Sequence, residues 1–191
     1  MQQRVKVGEL VPVEDRAQWV LATRLVFAAL VALMWLSGLT GEVHGGTYPW
    51  VWGLLCWPLL TVTTLVAGRM GRRVVRSLLT ATMLGDGVVL AFGWWATGDL
   101  SSPLSYLVIL HGVAVTMLAS FRTGVRIALW HSILALLVLE ATALGHLGPA
   151  QAYSSDRLSL YLCAMWIAVL GTASFAAQNE RELRRRRYDS E

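Results

Sequence analysis

Six apolar runs, each close to 20 residues long, leave this chain few ways to fold. They fall at residues 19–39, 49–67, 78–97, 104–121, 124–144 and 158–177. A helix needs about 20 such residues to cross a hydrocarbon core of ~30 Å. Lipid offers the backbone no water to bond, so each run is expected as an α-helix rather than an open strand. The short connections predict antiparallel neighbours. The expected fold is therefore all-α: a polytopic bundle of six transmembrane helices over residues 19–177. A cytoplasmic segment, 1–18, precedes it and a cytoplasmic helical stalk, 178–191, follows. Composition agrees, at 55% hydrophobic and 15% charged, against about 25% charged in a soluble domain. The first run is longer than a signal-peptide core and follows a stretch of mixed charge, so it reads as a genuine span.

The basic residues predict an orientation. Arg4, Lys6, Arg16 and Arg24 precede or enter the first span, and Arg69, Arg72, Arg73 and Arg76 lie between the second and third. Arg122 and Arg126 lie at the junction of the fourth and fifth, and Arg181 and Arg184 to Arg187 follow the sixth. These are 15 of the 16 basic residues, and only Arg157 falls on the other side. Positive residues collect on the cytoplasmic side, so both termini are expected inside a bacterial cytoplasmic membrane, with Arg24 snorkelling to the inner surface. A pI near 9.5 then reflects an inner face set against anionic lipid and needs no nucleic acid. Trp35, Tyr48, Trp50, Trp52, Trp94, Trp95, Tyr106, Tyr153 and Tyr161 cluster near the outer span ends, as an aromatic belt does. Cys56 and Cys163 read as small buried hydrophobes.

Ionisable groups inside a span are expensive and point to function. Asp86 lies about 12 Å from the inner surface, His111 about 15 Å and His131 about 10 Å, at ~1.5 Å per residue. Three helices thus bring ionisable groups to one layer, with Gly85 and Gly87 beside Asp86 and small residues beside both histidines. Two imidazoles on antiparallel helices suit axial ligation of a b-type haem, or a metal held by His111 and His131 with Asp86 as a third ligand. The same groups also suit a structural role: an imidazole bonding across an interface, or Asp86 paired with a histidine or with Arg24. Glu140 lies nine steps beyond His131 and so on the opposite helix face. With His146, His44 and Asp99 it forms an outer set of polar candidates. No catalytic motif such as G-x-S-x-G, H-E-x-x-H or a P-loop occurs, so the chain is not expected to be an enzyme.

The last span runs into QNERELRRRRYDSE, a tail with no proline or glycine to break the helix. Glu180 and Arg184, like Glu182 and Arg186, form i,i+4 pairs in the favourable order. This predicts a signal-relay helix carrying Glu180, Arg184 and Arg186. Ala164, Ala168, Thr172 and Ala176 give the same helix a small-residue face suited to a homodimer.

Asp86 followed by Thr97, Gly98, Ser102, Pro103 and Leu104, and then LHGVAVTMLASFRTGVRIALWHS, resembles the six-helix membrane sensor module of actinobacterial diguanylate cyclases and sensor histidine kinases. It is similar to the inputs of pilus-regulating and redox-responding kinases, although Asp99 stands where their turn has a second glycine. The resemblance implies a sensory input that passes a membrane-borne or redox stimulus through the sixth helix to a cytoplasmic output protein or domain. No such output is expected within these 191 residues. The alternatives from the residues themselves are a haem-binding electron carrier and a small permease or transporter subunit.

Overall fold

The computed structural model describes residues 13–39, 56–63, 66, 72–147 and 154–188. Among them the fold is all-α. Helix α1 is Val13–Leu36, α2 includes residues 56–63 and α3 is Arg72–Ala96. A 3-10 turn, Asp99–Ser101, leads into α4, Leu104–Leu118. Then come α5, Phe121–Ala143, and α6, Ser155–Tyr188. Among the described residues, four helices contain windows long and apolar enough to cross a membrane: Gln18–Leu36, Ser77–Ala96, Phe121–Ala143 and Ser155–Asn179. The chain is thus a helical, membrane-type protein.

Local chemistry sets the ends. Gly38, at φ 71°, closes α1. Its N–H bonds the Trp35 carbonyl while the Leu39 N–H reaches Met34. Gly145, at φ 75°, repeats the pattern after α5, with its N–H on Thr142 and the His146 N–H on Ala141. This two-bond stop needs a left-handed residue, which glycine adopts without strain. Between α4 and α5 the stop is a cap instead. Ser120 is extended, and its side chain accepts the Thr123 N–H at 3.2 Å. The expected fourth span, 104–121, is therefore cut to the 15 residues of α4, because a serine cap satisfies one of the free N–H groups opening α5.

Helix α4 is the central element, packed against α1, α3, α5 and α6. Two glycines let its neighbours close in. A Cβ at Gly112 would lie 2.9 Å from Val169 of α6, and one at Gly124 would lie 2.9 Å from the Thr116 backbone.

The apolar interior is split in two. One cluster gathers Phe27, Leu90, Trp94, Val108, Ala135 and Tyr161 among others. The second holds Val20, Leu79, Met83, Val115 and Ile127. The order of these residues along each helix shows that α1, α3 and α5 run one way and α4 the other. Helix α6 runs with α4, since Tyr161 joins the first cluster before Trp166 and Val169 reach the middle of the bundle. The start of α3, the α4–α5 junction with exposed Arg122 and Arg126, and the tail of α6 with exposed Arg181 and Arg185 thus share one end of the bundle.

Three expectations are corrected by burial. Trp94 (1% exposed) and Tyr161 (8%) face the core and not a surface belt, since an aromatic ring fills a core as readily as it anchors an interface. Cys163 is exposed on α6, two residues and so about 200° round the helix from the core-facing Tyr161. Arg24 is 3% exposed and turned inward, for the reason given next.

Candidate functional site: a polar layer between two apolar cores

Each of four helices places one ionisable residue between the two clusters, a single turn from each. The sequence Val20–Arg24–Phe27 does so on α1, and Met83–Asp86–Leu90 on α3. On α4 the order is Val108–His111–Val115, and on α5 Ile127–His131–Ala135. Steps of three or four residues keep all three members on one helix face. The result is a buried polar sheet one residue thick.

Arg24 grips Asp86 through two nitrogens. Its Nε donates to Oδ1 at 2.8 Å and to Oδ2 at 2.9 Å, and its Nη2 donates to Oδ2 at 2.8 Å. The Nη1 donates to the Leu60 carbonyl of α2 at 3.1 Å. A forked guanidinium matches a carboxylate in this way, and this partner holds the arginine inside where a lone one would snorkel. The opposite face of the layer is an imidazole pair. His111 Nδ1 lies 2.9 Å from His131 Nε2, with the rings nearly perpendicular at 83°. His111 Nε2 in turn faces Asp86 Oδ2 at 3.9 Å. All four groups are at most 3% exposed.

The glycines beside Asp86 let three neighbours pack closely against α3 at this level. A Cβ at Gly85 would meet the end of the Leu60 side chain at 3.0 Å. One at Gly87 would meet His131 Cε1 and Trp130 Cδ1, each at 3.0 Å. Trp130 Nε1 donates to the Leu84 carbonyl at 3.0 Å and fixes α5 against α3 at this level. The layer also meets α6. Trp166 Nε1 donates to the Ser132 hydroxyl at 3.1 Å, next to His131 in sequence. A cavity of about 20 Å³ opens beside Arg24, Asp86 and His111, walled by Trp57, Met83 and Ala114 among others. Such a volume holds one water molecule.

The turn between α3 and α4 is a second, smaller polar cluster. Thr97 is hydrogen-bonded to Ser102 and to the Gly93 carbonyl, Ser102 accepts the Leu104 N–H, and Ser105 donates to the Ser102 carbonyl. Gly98, at φ 109°, makes the bend.

The structure brings Asp86, His111 and His131 together, and adds Arg24 to them. It leaves Glu140 and His146 exposed and apart from the layer. His44 and the side chains of Asp99, Glu180, Arg184 and Arg186 lie outside the described residues. Sequence reasoning missed the roles of Leu60, Trp130, Ser132 and Trp166. For Arg24 a signal was present: one arginine and one aspartate in separate apolar runs each need the other.

The imidazole pair does not fit a haem. Two trans nitrogen–metal bonds of about 2.0 Å keep their nitrogens about 4 Å apart. Here the facing nitrogens are 2.9 Å apart, and the adjoining cavity has no room for a porphyrin. Among the described residues no cluster of three or more His, Cys, Asp or Glu side chains is arranged to hold a metal.

No family model, curated protein or solved structure gives a significant match to the chain.

Proposed function

We propose that the protein is a sensory input module of a bacterial cytoplasmic membrane, a six-helix bundle with both termini inside, and that α6 relays its state to a cytoplasmic output. The observation that carries this reading is the length of α6. It runs unbroken for 34 residues, Ser155–Tyr188, while its apolar window ends at Asn179. The remaining turns hold five arginines, and a helix that continues past the hydrocarbon transmits a shift or rotation at its buried end. Trp166 ties that end to the polar layer through Ser132. The stimulus acts by population shift: a change in the layer favours one packing of the bundle over another. The chemistry of an output lies with a partner, and the small-residue face of α6 offers a homodimer contact.

The polar layer favours sensing over transport. It runs sideways across α1, α3, α4 and α5, and an apolar cluster seals it on each side. A transport path would string polar groups along the membrane normal.

The test is a fusion of the full chain to a cytoplasmic reporter output, with tags on both termini. Deleting residues 178–191 should abolish regulated output and leave membrane insertion intact. Regulated output from the truncated fusion, or termini on opposite faces, would overturn the reading.

A further inference from the structure

We propose that the two histidines form a proton relay whose terminal acceptor is Asp86, so that one arriving proton dissolves the Arg24–Asp86 ion pair. The proposal does not require α6 to carry an output. It rests on one geometric fact: Asp86, His111 and His131 stand in line, joined by a 2.9 Å contact and a 3.9 Å gap.

The hydrogen-bond inventory fixes the resting protons. Only one hydrogen can sit between His111 Nδ1 and His131 Nε2. If His111 donated it, neutral His131 would carry its hydrogen on Nδ1, which is buried without a partner, and the bare His111 Nε2 would face the carboxylate. Both arrangements are costly. If His131 Nε2 donates it, His111 carries its hydrogen on Nε2, aimed toward Asp86, and His131 Nδ1 keeps a lone pair. The second tautomer satisfies every donor but the one across the 3.9 Å gap, and leaves an acceptor rather than a donor unpaired.

That unpaired Nδ1 is the entry point. A proton bound there pushes the Nε2 hydrogen of His131 onto His111 Nδ1. The Nε2 hydrogen of His111 then passes to Asp86 Oδ2. One nitrogen–hydrogen bond forms and one breaks on each ring, so both imidazoles end neutral in the opposite tautomer. The carboxylate becomes a carboxylic acid and Arg24 loses its counter-ion. The gap closes by a shift of about 1 Å to hydrogen-bond distance, or through one water in the adjoining cavity. The charged and titratable groups facing this path are Arg24 from α1 and Asp86 from α3. Helix α2 presents the Leu60 carbonyl and Trp57, and α6 presents Trp166, Met165 and Val169.

Infrared difference spectroscopy of the full chain in lipid nanodiscs reads the acceptor directly. Lowering the pH should raise a protonated-carboxyl band that Asp86→Asn removes. After a rapid pH drop the band should form about a hundredfold more slowly in His131→Gln. In the intact protein, nitrogen-15 NMR should show scalar coupling between the two facing ring nitrogens, so folding of a variant is not needed for that reading. A band that keeps its rate in His131→Gln overturns the relay, because Asp86 then takes its proton from the cavity. So does a carboxyl band unaffected by Asp86→Asn, or the absence of coupling between the rings.

Discussion

Arg24 on the first helix and Asp86 on the third hold each other through three hydrogen bonds of 2.8–2.9 Å at 3% exposure. Both charges are shut away from bulk water. Removing one partner strands the other, at a cost of about 3–5 kcal/mol. Arg24→Met and Asp86→Leu should each lower the thermal midpoint of the detergent-solubilised protein sharply. The double variant should recover much of the loss, because an apolar pair leaves no bare charge. Equal or additive damage in the double variant would show that the pair is not a unit.

Gly87 should be far less tolerant than Gly171. Alanine at 87 pushes into His131 and Trp130, which are themselves packed or bonded, and overpacking of this kind costs about 1–3 kcal/mol. At Gly171 nothing lies within 4 Å of the new methyl, so alanine there should stabilise the helix by about 0.5–1 kcal/mol. Chemical-shift changes at the histidine rings should accompany only the first substitution. Gly124→Ala, driven against the Thr116 backbone, should be the most damaging of the three.

Haem added to the purified protein should give no Soret band characteristic of two histidine ligands. The imidazole nitrogens already touch, and spreading them would empty the centre of the bundle. A band lost in both His111→Ala and His131→Ala would disprove this packing.

Ser132→Ala should loosen α6 without unfolding the bundle. It removes the acceptor of the Trp166 indole, at a cost of about 1 kcal/mol. In the reporter fusion, output should change while expression and insertion stay level. Trp166→Phe should behave alike, and output unchanged in both would detach α6 from the layer.

The middle of the molecule was more legible than its edges. The depths of Asp86, His111 and His131 followed from a fixed rise per residue, and the helices deliver them to one level. Helix starts were less legible. Helix α1 begins at Val13 and α3 at Arg72, ahead of the apolar runs at 19 and 78, because a helix continues into polar turns where hydropathy falls silent. The reverse error occurred at Ser120, whose cap lies within an apolar stretch. Arg24 was open to two readings, snorkelling to the membrane rim or pairing with Asp86, and burial decides for the pair. Its partner is 62 residues away, so helix periodicity alone could not choose between the two.

Helix α4 has one consequence of its own. Fifteen residues span about 22 Å, some 8 Å short of an average hydrocarbon slab. Its neighbours α1, α3, α5 and α6 are longer, at 23 to 34 residues. The Thr97–Ser102 bend that precedes it therefore stands at a depth that a helix of about 20 residues would still occupy. Bent backbone at such a level survives only when walled off from acyl chains, and the buried Thr97, Ser102 and Ser105 show it walled by protein.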